Sequence, residues 1–490
     1  MKLFWPKLLA WVLLALLILT LFAWFVLLRP VAQPHTNDPI ASFDHGSIGN
    51  EDAQGLPYWI WRVLPQMFPQ YMPDNKDGYA AFGLYWEAGS ELPVGFSKKT
   101  LGVIPRVSLN CAFCHQGSFR LHADDPATLV PGGAGTRVNA QGYLRFLASA
   151  GTDPGFTPDR VMAAIEAIYD MPLWERLLYR YLLIPATRKA LVEQKQRFAW
   201  TYTRPEWGPG RIDPFNPVKF QELGLGDDGT IGNSDMMPLW NLDHDRRDSS
   251  REYSFHWDGL NRSLREVVVT GAIGDGMTYK TFPAVDDRLR VFESWIRLQQ
   301  PPRSPFSSSR AHDDPYYVDA DEVRAGKAIY AQVCARCHTP GGARFRTVIP
   351  AFEIKTDRHR LDMWSEAAKT RYASYQPDYP WGFEAFHNED GYVAVEHTGL
   401  WLKGPYLHNG SVPTLRDMLK PPAERPRTFY RGYDLVDAEN GGFVSSGPLA
   451  ERYGWLYDTT LPGNSNSGHE FGTDLSARDK ARLLAYLKTL

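Results

Sequence analysis

Two short stretches hold every cysteine of the chain: SLNCAFCHQG over residues 108–117 and QVCARCHTPGG over residues 332–342. Each contains Cys-x-x-Cys-His, as Cys111, Cys114 and His115 in the first and Cys334, Cys337 and His338 in the second. Such a pair serves three chemistries: a redox dithiol, half of a zinc site, or thioether attachment of haem c. Zinc would need four ligands pooled from both boxes, leaving each trailing histidine as an accident met twice. A dithiol needs no histidine after its second cysteine. Haem attachment uses every position, because two thiols add to the two vinyl groups of one haem and the next imidazole coordinates iron from the proximal side. The expectation is two covalently attached haem c groups, with His115 and His338 as iron ligands.

The second box has a frame around it. In DADEVRAGKAIYAQVCARCH, Val323, Gly326, Tyr330 and Val333 recur on one helical face that runs into the thioether turn. Gly326 on that face admits a close helix crossing. The partner expected is the C-terminal LSARDKARLLAYLKTL, where Ser476 and Asp479 form a capping-box start and Leu483, Leu484, Leu487 and Leu490 form the apolar stripe. Ahead of it, QQPPRSPFSSSRAHDDP reads as a linker, and AVDDRLRVFESWIRLQQ as the amphipathic helix that closes the preceding domain. Long helical patterns, PDRVMAAIEAIYDM and PLWERLLYRYLLIPATRKALVEQKQRF, fill the interval between the boxes, with few period-2 strands. The expected fold is mainly α: two cytochrome c-like haem domains with long irregular loops, preceded by one N-terminal transmembrane helix. Its divisions are an anchor at 1–30, an enlarged first haem domain at 31–300, a linker at 301–315 and a second cytochrome c domain at 316–490.

The anchor is read from residues 8–28, which carry no charge and would span about 31 Å as a helix, the thickness of a hydrocarbon core. Lys2 and Lys7 before it predict a cytoplasmic N-terminus, with the haem domains on the periplasmic side of a bacterial inner membrane. A formal net charge of −3 gives no polyelectrolyte reason to expect nucleic acid. Aromatic residues make up 13% of the chain, which suits either core packing or a large flat apolar ligand.

Several patches, MPLWNL, HWDGLNRSL, GPYLHNGSVPTLRDML and GNSNSGHEFGTDLSARDKARLLAYLKTL, resemble the bacterial di-haem cytochrome c peroxidases. The closer likeness is to the di-haem rubber oxygenase (latex-cleaving) branch, through GPGRIDPFNP and the YRGYD and GFVSSG stretches. The resemblance implies that Trp257 bridges electrons between the haems. It also implies His469 as sixth ligand of the second haem, with His408 as its rival near the haem interface. Where peroxidases carry a catalytic glutamate, this chain reads TGAIGDGM, placing Gly276 before Met277 with Asp275 adjacent. The resemblance extends to a calcium ion between the haems at Asp235, although Lys403 replaces a threonine expected opposite.

For the first haem no strong sixth ligand stands out. His122 follows His115 too closely to arch over the iron, and His256, beside Trp257, is within reach but reads first as an exposed or hydrogen-bonded histidine. An open iron beside apolar residues suits O2 binding and activation. The leading expectation is therefore an electron-transferring redox protein with O2 chemistry at haem 1, acting on an apolar small molecule and fed by a quinone-linked chain or a small cytochrome. The alternatives are a pure electron carrier with both irons six-coordinate, and a peroxide-reducing enzyme.

Overall fold

The structure, a computed structural model, describes residues 4–25, 29, 38–73, 78–243, 251–374 and 389–490. Helices dominate, linked by long irregular segments and short β-pairs. The first helix, α1 (Phe4–Ala23), holds most of the expected span, and its Leu9, Trp11, Leu19 and Phe22 side chains are largely exposed. Among the described residues, however, no helix is long and apolar enough to cross a membrane. From Leu8 to Ala23 the charge-free part of α1 measures about 24 Å, short of a hydrocarbon core of roughly 30 Å. Residues 26–28 of the expected span lie outside the described residues. The transmembrane helix predicted over 8–28 is to that extent not obtained.

The first cysteine box is positioned by an element the sequence reading passed over. Strands β1 (Leu56–Pro57), β2 (Phe96–Leu101) and β3 (Ile104–Leu109) form an antiparallel sheet in the order β1-β3-β2. Gly102, at φ 60°, turns the β2–β3 hairpin, and β3 runs directly into Cys111. Asn110 then caps the one-turn helix of the box by accepting from the Ala112 amide. Pro105 and the lysine pair in β2 break the apolar alternation that would have flagged these strands. Around the sheet pack α2 (Tyr58–Met67), α3 (Ala140–Thr152) and α4 (Ile184–Arg197). Trp61, wholly buried, stacks on Tyr79 at 4.4 Å and donates to Tyr143, so much of the aromatic content is core. Helices α5 (Leu264–Gly274) and α6 (Phe282–Leu298) build a second apolar cluster, in which Val285, Leu289, Phe292 and Trp295 present the buried face of α6.

The second box closes a helix pair of the kind expected. In α7 (Ala320–Val333), Asp319 caps the first turn through the Asp321 and Glu322 amides, and Cys334 ends the last turn. Its partner is α8 (Ala477–Thr489), capped by Ser476, with Leu483, Leu484 and Leu487 buried. Gly326 is the crossing point: a Cβ there would stand 2.0 Å from the Arg482 carbonyl oxygen. The segment read as a linker is packed rather than free. Phe306 and Tyr316 are buried against Trp240 and Trp401, and Ser304 donates to the Lys488 carbonyl.

Candidate functional site

Both boxes carry the same local device. His338 Nδ1 lies 2.7 Å from the Val395 carbonyl oxygen, and His115 Nδ1 lies 2.8 Å from that of Met237. A carbonyl only accepts, so each Nδ1 is the protonated nitrogen and each Nε2 keeps its lone pair for a metal. Burial holds both imidazoles neutral, lowering each to about 4. The carbonyls belong to segments far from the boxes in sequence, and no spacing pattern announces them.

At the second box a cavity of about 380 Å³ opens beside Cys334, Cys337 and His338. His469 forms the facing wall, its ring centroid 6.2 Å from that of His338. An iron held between two imidazoles at about 2.0 Å per Fe–N bond would put their centroids roughly 6.3 Å apart. Thiols, proximal histidine and opposing histidine therefore fit a haem c in geometry and in donor set. His469 is held there by Arg425, whose guanidinium donates to the carbonyls of Asn466, Gly468 and His469 at 2.6, 2.8 and 3.1 Å. Gly468 is obligatory in this loop, since its φ is 71° and a Cβ would meet the Lys355 backbone at 2.3 Å. His408 also lines the cavity but stacks flat on Tyr392 at 3.8 Å, away from the His338 axis. His397, which sequence reasoning did not single out, stacks on His338 at 3.7 Å and meets the Tyr330 hydroxyl at 3.2 Å.

At the first box burial governs the ionisable groups. Cys111, Cys114, His115 and Asp275 keep part of their accessible surface, yet burial is the chief force on each ionisation. It raises the Cys111 thiol to about 12 and the Asp275 carboxyl to about 7. His256 belongs to this region, because His115 is among the charges acting on it and its buried Nε2 has no hydrogen-bond partner among the described residues. His122 does not, its ring lying 6.5 Å from Tyr316. At the peroxidase glutamate position, Gly276 has φ 97°, a backbone conformation that strains any L side chain, and a Cβ would also need the flexible end of Gln54 to move aside.

Between the sites runs a hydrogen-bonded route. His115 donates to the Met237 carbonyl, and two residues back the Asp235 carbonyl accepts from Trp257 Nε1 at 2.9 Å. The indole of Trp257 lines the second cavity. The Asp235 carboxylate is already matched, by buried Arg431 at 2.5 Å with buried Arg211 close by. Calcium wants six to eight oxygens. Among the described residues no group of three or more His, Cys, Asp or Glu side chains is placed to hold a metal ion, a test that haem iron, needing only one or two protein ligands, does not face. Lys403 donates to the Glu396 carbonyl and supplies no oxygen. The site expected for calcium thus holds arginines instead, and the residues do not fit the ion.

A helix pair crossing at a glycine, a thioether box at the end of the first helix and a histidine with its Nδ1 bonded to a carbonyl define a c-type cytochrome. Comparison with known proteins agrees. The family described as cytochrome c oxidase, cbb3-type, subunit III matches residues 321–374, which include the second box. The family described as RoxA-like, cytochrome c-like matches residues 391–430, which include Val395, His397 and His408. Two similar curated proteins come from Sinorhizobium fredii. The uncharacterized protein y4iJ is 43% identical over 108 residues, 20% of this chain and 18% of its own length. The uncharacterized protein y4iM is 32% identical over 187 residues, 32% of this chain and 42% of its own. The chain thus matches less than half the length of each. The two family matches support cytochrome c domains, which imply covalently bound haem c.

Proposed function

We propose that the chain is a membrane-attached, periplasmic di-haem redox protein in which electrons pass between a closed second haem and an open first haem that handles O2. The observation that carries this reading is the route from His115 through the 235–237 backbone to Trp257, which joins two boxes of the same build. When bound, the first haem supplies the O2-reactive centre; everything else is done by the chain. His338 and His469 would be the residues to hold the second haem's iron, which would leave that site no place for a substrate and suit it to electron storage. Trp257 presents a polarizable ring at the second site while its Nε1 is tied to the strand leading to the first. Membrane attachment is supported by the exposed leucines and aromatics of α1, and the periplasmic side by thioether maturation, which bacteria complete outside the cytoplasm. The redox partner is proposed to be a quinone-linked chain or a small cytochrome.

A second reading, an electron carrier with both irons six-coordinate, is favoured by one feature, the buried and unpartnered Nε2 of His256. A peroxidase is disfavoured, because the position of its catalytic acid is taken by Gly276, whose φ of 97° strains any side chain placed there. Counting haem by the pyridine haemochrome and titrating the reduced protein with carbon monoxide separates these readings. Two haems, one binding CO, is the expected result. Two haems that both refuse CO would give the carrier reading its case, and a chain without haem would remove the proposal. Trp257→Phe, which loses the bond to Asp235, is expected to slow inter-haem electron transfer after a laser-triggered reduction while both haems stay attached. Unchanged kinetics would take Trp257 out of the pathway.

A further inference from the structure

A second large cavity, about 310 Å³, lies beside the first box. It is walled by β3, α3, α4 and the end of α5, and Leu109, Leu147, Leu183, Leu191 and Ile273 give it an apolar lining. Two polar groups break that lining without partners of their own. Arg106 Nε is buried and unbonded, the guanidinium has no ion pair among the described residues, and its one contact is a long 3.4 Å approach of Nη1 to the Gly55 carbonyl. Gln221 Nε2 is likewise buried and unbonded. A guanidinium does not give up its proton in a protein, so a half-buried one whose Nε is shut off from water without an acceptor carries a cost that a ligand oxygen would reduce. Arg197, exposed on the same lining, adds a second positive charge; the acidic residues there are exposed Glu222 and half-buried Asp275.

We propose that this cavity binds a single-chain anionic amphiphile, with a carboxylate or phosphate head on Arg106 and Gln221 and an alkyl tail along the leucine wall. The direction of binding follows from the charges. Asp52 acts on Arg106, whereas Asp275, which also lines the cavity, acts on the Cys111 and Cys114 thiols. The Asp275 end thus adjoins the first haem site and receives the tail rather than the head. Delivery is built into the same helical rod, Leu173–Leu178, Tyr179–Leu183 and α4, whose inner face forms the wall. Its outer face exposes Leu173 by 73%, Trp174 by 50% and Tyr181 by 70%, beside Arg180. Apolar and aromatic side chains beside a basic one suit a helix lying at a lipid surface, where such amphiphiles reside. That the bound molecule is the substrate rests on the open-haem reading above; that it binds does not.

The test uses the full holoprotein in phosphatidylcholine nanodiscs, titrated calorimetrically with laurate and with dodecanol against empty nanodiscs. Laurate is expected to bind saturably, Arg106→Gln to weaken it roughly 10- to 100-fold, and Arg106→Lys to recover most of the loss. Dodecanol, which lacks the charge, is expected to be indifferent to both variants. Equal laurate affinity in wild type and Arg106→Gln, or no saturable binding, would overturn the proposal. So would a shift of the first haem's reduction potential in Arg106→Gln without laurate binding, since Arg106 would then serve a haem propionate. Dodecyl phosphate separates a phosphate preference from a carboxylate one, and either preference supports the site. Haem counted on the same samples keeps the readings apart: laurate binding to a chain without haem would leave the site standing and remove the redox proposal.

Discussion

Replacing His469 with alanine is expected to open the second haem to carbon monoxide, adding a second equivalent of CO per reduced chain while both haems remain covalently attached. The expectation rests on the 6.2 Å spacing of the His338 and His469 rings and on the loop that sets it. Arg425 gathers three successive carbonyl regions of that loop, and Gly468 permits its turn, so His469 is presented by rigid backbone rather than by a free rotamer. Truncation removes a ligand without disturbing the thioether bonds, which are covalent and lie on the other wall. Low-spin ferric absorption should give way to a high-spin contribution confined to one haem. His469→Met should retain six-coordination but raise the reduction potential, as thioether ligation does. His408→Ala is the control: stacked on Tyr392, it should leave CO stoichiometry unchanged. Should His408→Ala open the haem and His469→Ala not, the ligand assignment is reversed.

The second large effect is expected at Gly326. Its absent Cβ would lie 2.0 Å from the Arg482 carbonyl oxygen and 2.7 Å from its carbon, and neither is a side chain that can swing aside. Any larger residue must push α7 from α8, separating Tyr330 from Tyr486 and uncovering Leu483 and Leu484. Overpacking of this kind costs about 1–3 kcal/mol for small insertions and more for a branched side chain. Gly326→Val should therefore lower the stability of the haem domain by about 3 kcal/mol or more in denaturant titration, and reduce haem retained at the second box. Gly271→Ala, on a helix face where a Cβ would meet nothing within 4 Å, should instead stabilise by up to about 1 kcal/mol. Equal behaviour of the two variants would refute the close crossing.

The difference between these two positions shows what kind of information lay in the chain. Gly326 was legible because glycine on an apolar helical face has one common use, and the C-terminal leucine stripe supplied the partner. The β2–β3 hairpin was not, because Pro105 and charged residues interrupt its alternation and its pairing is made in space. His469 could be singled out only through its patch GNSNSGHEFG, while the Arg425 clamp behind it joins segments about 40 positions apart through backbone carbonyls, which leave no mark on residue type. The calcium expectation failed for a related reason: Asp235 alone looks like an oxygen ligand, and only the fold brings Arg431 and Arg211 to its carboxylate.

By itself the sequence determined the helix pair that frames the second box and set the expectation of thioether chemistry with His115 and His338 as proximal residues, because thioether attachment and helix periodicity are local and tied to fixed spacings. Tertiary structure alone decided which histidine faces His338, which nitrogen of each proximal imidazole is free, and how Trp257 connects to His115. It also decided that Arg106 Nε is left, among the described residues, without an acceptor beside a leucine-walled cavity. Those properties depend on carbonyls, charges and empty space contributed by distant segments, and the chain has no spacing rule that encodes what it will be folded against.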